Sequence, residues 1–259
     1  VVTDVAGCQR FEPDQIWFTT PSPVYYSGWF REFVQSVPSK RVVCFPPEGG
    51  RPEFIPAEGI DDRFVFGGIT FIAWQGDLEG GGGRAEGVNF WLPPRMEIPL
   101  MGAESACMEV AGLLDRAGFR ASIKTEAFQA TQAAVTASMT AFVAGLELSG
   151  WSFRAYRRSP WLGRAAGGAR EAILTQLSRP NIFTRALLRL LLSSAGFYVI
   201  SLLIPFLFPF DLEKYLKFHY LKTRAQTRTL LELFIGDGIA RGIQVKNLQT
   251  LLQGMNASE

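Results

Sequence analysis

Apolar residues fall in short β-rich runs up to about residue 124 and in long helical stretches after it. Gln15 to Thr20, QIWFTT, predicts a strand that Pro21 and Pro23 end. Gly28 to Val37 has apolar residues at 29, 30, 33, 34 and 37, which is helical spacing. Arg41 to Phe45, RVVCF, predicts the next strand, closed by Pro46, Pro47 and Glu48-Gly49-Gly50. Strand, helix, strand and Gly-rich turn make a unit of a parallel sheet. Arg63 to Phe71, RFVFGGITF, predicts a third strand, interrupted at Gly67-Gly68 and continued by Ile72 to Trp74. Asp77 to Gly87 reads as a loop, and Val88–Leu92 and Met96–Leu100 are expected to pair as an antiparallel edge hairpin around Pro93-Pro94. Glu104 to Ala117 predicts a helix capped by Gly118, followed by a last short strand over Phe119 to Lys124.

The second half has a different texture. Phe128 to Trp151 carries one charge, Glu147, and has small residues every few positions, which predicts a long buried helix opening a second domain. Glu171 to Leu177 and Ile182 to Leu192 are helical in pattern. Residues 190 to 210 carry no charge and by length alone match a bilayer span. Pro205 and Pro209 near its end, with Ser193, Ser194 and Gly196, favour a buried helix pair instead. Asp211 to Leu252 is expected to be helical throughout, with Asp211 as cap and a break at Gly236, Gly238 and Gly242. The fold class is α/β followed by all-α, with domains over residues 1–124 and 125–259.

Composition narrows the function classes. A chain of 259 residues with 47% hydrophobic residues can bury a substantial core. A net charge of +2, with no Arg/Lys stripe interleaved with aromatics, gives no nucleic-acid footprint. Three well-separated cysteines, Cys8, Cys44 and Cys107, suit reduced thiols in the cytoplasm. The single histidine, His219, makes no usual metal site, so no metal is expected. The chain opens on VVTDVAG, which reads as mid-domain, so it is expected to be a fragment. The large apolar helical half predicts a homodimer, and no membrane partner is expected.

Four stretches carry a resemblance: Asp14-Gln15-Ile16-Trp17-Phe18, Val42 to Gly49, Phe64 to Thr70 and Gly238-Ile239-Ala240-Arg241-Gly242-Ile243. In their order and spacing they resemble the ketopantoate reductase family of NADP-dependent oxidoreductases, with a helical second domain similar to that of 6-phosphogluconate dehydrogenase. The resemblance implies a partial Rossmann-like sheet domain, a helical dehydrogenase C-terminal domain, NADP (NAD as the alternative) and a small 2-keto or 2-hydroxy acid substrate. It also implies a Gly-x-Gly-x-x-Gly turn, which this sequence does not contain. The family lysine on the long helix falls at Ala130, its turn asparagine at Glu48 and its late glutamate near Gln226. A catalytically inactive relative, kept for binding or scaffolding, is therefore the alternative, and a membrane-associated protein using residues 186 to 210 is a third.

The candidate residues follow from that chemistry. Reduction of a ketone leaves charge on oxygen, which needs a cation or strong donor nearby. His219 and Lys217, in KFHYLKTR, and Gln132 on the long helix are the catalytic candidates. His219 has the side chain that titrates near neutrality. Thr19, Thr20, Pro21 and Glu48 follow strands at the carboxyl end of the sheet and are the cofactor candidates. Gln129, Ser138 and Arg224 are the substrate candidates. Each has a plain structural alternative, such as a surface turn for Glu48 or a hydroxyl bonded back to its own helix for Ser138.

Overall fold

In a computed structural model of the chain, the strands form where runs of Val, Phe and Cys are buried on both faces. The structure describes residues 13–20, 22–25, 27–36, 41–46, 62–75, 88–124, 126–176 and 182–257. Among them the chain folds as two compact units, one within Val1–Ile72 and Trp91–Gln132, the other within Ala73–Phe90 and Ala133–Glu259.

The first unit is built on a five-stranded sheet. Strands β1 (Gln15–Phe18), β2 (Arg41–Cys44) and β3 (Phe64–Gly67) run parallel in that order. A short helix α1 (Ser22–Tyr25) and helix α2 (Gly28–Ser36) connect β1 to β2. Phe30 and Val34 of α2 are buried with Phe18, Tyr25, Val42, Cys44, Phe64 and Phe66. Alternation then sends Val43, Phe45 and Val65 to the other face, against Cys107, Val110 and Leu114 of α3 (Glu104–Arg116). A sheet covered on both faces needs such continuous apolar strands. Gly118, with φ of +85°, ends the α3 segment as its sequence predicts.

The rest of the sheet departs from expectation. Strands β4 (Ile72–Gln75) and β5 (Val88–Trp91) pair with each other in a separate two-stranded sheet. Thus 72–74 do not extend β3, and Val88–Leu92 does not pair with Met96–Leu100. Instead β6 (Ile98–Gly102) lies antiparallel to β3 and parallel to β7 (Ala121–Ile123). The reason is burial: Ile98 to Met101 are buried and complete the apolar faces of β3, whereas Val88 and Phe90 are exposed.

The second unit is helical. The long helix α4 (Glu126–Glu147) starts in the first unit's stretch and continues through the second's. It ends four residues before Trp151. It is followed by α5 (Phe153–Tyr156), α6 (Trp161–Gln176), α7 (Ile182–Leu191), α8 (Ser194–Leu203), a 3₁₀ turn (Ile204–Leu207), α9 (Leu212–Lys222), α10 (Arg224–Ala240) and α11 (Lys246–Ala257). Asp211 caps α9, its carboxylate accepting from the Lys214 N–H at 3.1 Å. A break that the sequence did not predict falls at Thr223, whose N–H and Oγ1 both donate to the His219 carbonyl. Of the three glycines expected to break the helix, Gly236 and Gly238 lie within α10, which ends at Ala240. The stop comes at Gly242, whose φ of +66° lets the Ile243 N–H close back on the Gly238 carbonyl at 2.8 Å.

The expected buried pair within 190–210 is overturned. Only one side of α8 is buried, through Phe197 and Ser201. Phe197 packs on Phe142 of α4 at 5.6 Å between ring centroids. Val199, Leu202, Leu203, Phe206 and Leu207 are exposed. Among the described residues no single helix is long and apolar enough to cross a membrane.

Candidate functional site

In the first unit the candidate site lies where parallel strands end. Open α/β sheets place ligands outside the carboxyl ends of their strands. Beyond β1, Thr19 is exposed and Thr20 half-buried. Tyr25 anchors this turn by donating its hydroxyl to the Phe18 carbonyl at 2.8 Å. Burial pushes the Tyr25 hydroxyl up to about 12, with the neighbouring Thr20 hydroxyl acting against the shift. The Thr20 Oγ1 lies beside the Tyr25 hydroxyl, which already donates to Phe18, and is buried with no hydrogen bond of normal geometry. Beyond β3 the Thr70 Oγ1 is likewise buried without a partner. The two hydroxyls belong to strands two spacings apart, about 10 Å.

The close packing at this edge explains the Gly-Gly pair. A Cβ on Gly67 would stand 2.3 Å from the Phe45 ring, so only glycine lets that ring lie across β3. Phe45 in turn stacks on Trp17 at 5.8 Å. Pro21 and Glu48 lie outside the described residues. Sequence reasoning missed Thr70 as a site residue, although the Gly-Gly-x-Thr pattern after a strand carried the signal.

In the second unit Ala73, Trp74, Val88, Phe218, His219 and Lys222 line an open cavity of about 190 Å³. Trp74 is held by Phe210, at 4.5 Å between centroids, and by Tyr215. Tyr215 stacks on the His219 imidazole at 5.4 Å, and Tyr220 meets it edge-on at 4.9 Å. Burial, with the Lys222 ammonium adding to it, pushes His219 below its ordinary value. Near neutral pH it is therefore an uncharged imidazole, able to donate or accept one hydrogen bond. The cation of the cavity is Lys222, whose ammonium sits 3.7 Å from the Phe218 ring centroid. Apolar walls, one neutral imidazole and one cation can hold a small carboxylate.

The other candidates are placed differently. Lys217 is exposed on α9 and does not line this cavity. Ser138 donates its hydroxyl to the Ala134 carbonyl at 2.9 Å, back along its own helix. Arg224 is engaged by Glu147, with Nε 2.6 Å from Oε1, and donates to the Met255 carbonyl at 2.9 Å. Gln129 and Gln132 lie on α4, but their side chains are outside the described residues. Cys44 and Cys107 are buried thiols pushed up by burial, to about 12 and about 11, and are poor nucleophiles. Among the described residues no cluster of His, Cys, Asp or Glu could hold a metal ion.

The first unit is a partial Rossmann-like sheet domain and the second a mainly helical domain. The particular fold is shared with 2-dehydropantoate 2-reductases. A probable 2-dehydropantoate 2-reductase from Bacillus subtilis aligns over 95% of this chain and 77% of its own, with a TM-score of 0.60 and 10% identity. The enzyme from Geobacter metallireducens aligns over 97% of this chain and 80% of its own, with a TM-score of 0.54 and 10% identity. D-mandelate dehydrogenase in complex with NADH aligns over 95% and 78%, with a TM-score of 0.54 and 13% identity. No family model and no curated protein matches the chain by sequence. At these identities the likeness is one of fold.

Proposed function

We propose that the chain is a nicotinamide-dependent oxidoreductase of the ketopantoate reductase type, acting on a small 2-keto or 2-hydroxy acid, with NADP as its cofactor. The observation that carries this reading is the pair of buried, unpartnered hydroxyls, Thr20 and Thr70, at the carboxyl ends of parallel strands. A buried hydroxyl without a partner costs about 1–3 kcal/mol, and a bound ribose or carboxamide would relieve that cost. These residues fit the ribose–nicotinamide end of such a cofactor. When bound, the cofactor supplies hydride. Thr20 and Thr70 would orient it, and Phe45 and Trp17 would back the edge of the sheet. His219 and Lys222 offer a hydrogen bond and a cation to a small acid. Buried, reduced Cys44 and Cys107 agree with a cytoplasmic protein.

The test is direct. Purified protein is titrated with NADPH and NADH by fluorescence, then assayed for oxidation of each with a panel of small 2-keto acids. Binding of NADPH and turnover of at least one acid is the expected result. Failure to bind either cofactor would overturn the reading. A second reading, a catalytically inactive relative, is favoured by one observation: α4 carries no lysine anywhere between Glu126 and Glu147. Cofactor binding without turnover of any acid would select it.

A further inference from the structure

Helices α7 and α8 and the 3₁₀ turn touch in sequence order and carry an apolar surface that the helical unit leaves uncovered. Phe206 is 83% exposed, Leu207 71% and Leu190 70%, with Leu191, Val199 and Leu203 near half. Scattered exposed leucines are ordinary, but a contiguous patch on three linked elements marks an interaction surface. The patch is firmly based. Phe197 and Ser201 fix the inner side of α8, and Arg157 donates to the Ser201 carbonyl at 2.9 Å.

Charge says what covers it. Between Glu147 and Asp211 the chain has eight arginines and one acid, Glu171. That acid is already committed: its carboxylate accepts from the Asn247 and Leu248 N–H groups. Arg154, Arg158 and Arg189 are exposed. Asp211, which follows the 3₁₀ turn, is paired with Lys214 Nζ at 3.5 Å. An apolar surface accompanied by arginines, with its neighbouring acids already paired, complements an anionic lipid interface. A second copy docking the same face on itself would bring two arginine-rich, acid-poor segments together. Among the described residues no single helix of this face is long and apolar enough to cross a bilayer. The apolar run Ser194–Leu207 meets Leu212–Lys222 at a bend of 103°, which turns the chain back.

We propose that the α7–α8–3₁₀ face docks on anionic membrane surfaces, with Leu203 and Phe206 entering the acyl boundary and Arg158 and Arg189 meeting lipid phosphates. The attachment is peripheral, at the depth of an interfacial helix, about 5–10 Å.

The experiment is co-sedimentation of the whole chain with phosphatidylcholine vesicles and with phosphatidylcholine–phosphatidylglycerol vesicles, at low and high salt. The expected result is pelleting with the anionic vesicles, weakened by salt. Arg158→Ala and Arg189→Ala should each lower the partition about fivefold. The double variant Leu203→Glu, Phe206→Glu should abolish it while far-UV circular dichroism and thermal unfolding stay as in the parent, because both side chains are exposed. Light scattering without vesicles is the companion measurement. No pelleting of the parent chain with anionic vesicles overturns the proposal. A concentration-dependent dimer that the double variant breaks, with no vesicle binding, also overturns it and assigns the face to a second copy.

Discussion

Glu147 Oε1 lies 2.6 Å from Arg224 Nε, joining the end of α4 to the start of α10 inside an otherwise apolar unit. Glu147 is 7% exposed and Arg224 22%. Burial pushes the Glu147 carboxyl up, while Arg224 and Arg228 pull it down. Arg224 and Arg228 also share the Met255 carbonyl, so α11 is tied to the same charges. Truncating one member of a buried pair strands the other. Glu147→Ala should therefore destabilise by about 3 kcal/mol, measured by urea unfolding, and Glu147→Leu with Arg224→Leu should recover most of that loss. Equal destabilisation by the single and double variants would contradict this account.

A second carboxylate holds the last helix. Glu171 of α6 accepts from the Asn247 N–H at 2.9 Å, the Leu248 N–H at 3.0 Å and Asn247 Nδ2 at 2.6 Å, capping α11 from another element. Glu171→Ala should cost about 1–2 kcal/mol, and Glu171→Gln less, because an amide oxygen still accepts. Hydrogen exchange should speed up first in the opening turn of α11. Unchanged exchange there would count against the cap.

Gly67 tests the packing at the strand ends. Gly67→Ala puts a methyl where the Phe45 ring stands, and overpacking of this kind costs about 1–3 kcal/mol. Pairing it with Phe45→Leu should restore part of the loss. No recovery in the pair would mean that the glycine serves another need.

The pH response of the first unit turns on Glu109. Its carboxylate accepts from Arg41 Nη2 at 2.7 Å and Gln15 Nε2 at 2.6 Å, joining α3 to the starts of β1 and β2. The Arg41 hydrogen bond, followed by that of Gln15, holds its carboxyl below the ordinary value of 4.5. A lowered folded-state value means that stability is present above 4.5 and is lost as pH falls through the lowered value. The gap in thermal midpoint between the parent chain and Glu109→Gln should thus be widest at neutral pH and close on acidification. A gap that widens in acid would reverse the sign.

Thr20 and Thr70 separate stability from binding. Thr20→Val or Thr70→Val removes a buried hydroxyl that has no partner, so stability should hold or rise slightly. NADPH affinity should fall by about threefold to tenfold for each, one ordinary hydrogen bond's worth. Loss of stability with unchanged affinity would take these residues out of the proposed site.

Local chemistry made much of the fold readable. The strand–helix–strand order of β1, α2 and β2, the Gly118 stop and the Asp211 cap each depend on neighbours within a few residues, so periodicity and residue type reveal them. The long α4 was legible for the same reason. The one charge between Phe128 and Trp151, Glu147, showed that a charge was buried, but its partner Arg224 lies 77 positions away and the pairing exists only in three dimensions. Strand pairing was likewise beyond local reading. Val88–Leu92 and Ile98–Met101 are both apolar runs, and only competition for the edge of β3 sends the second into the sheet and leaves the first with β4. The candidate site divides along the same line: Thr20 was visible as the end of a strand and Thr70 was readable from its Gly-Gly-x-Thr pattern, whereas the walls around His219 needed the folded chain. The uncharged run from 190 to 210 states this most plainly. Composition determined that it is apolar, but burial is a property of what packs against a surface, and the fold left half of α8 open.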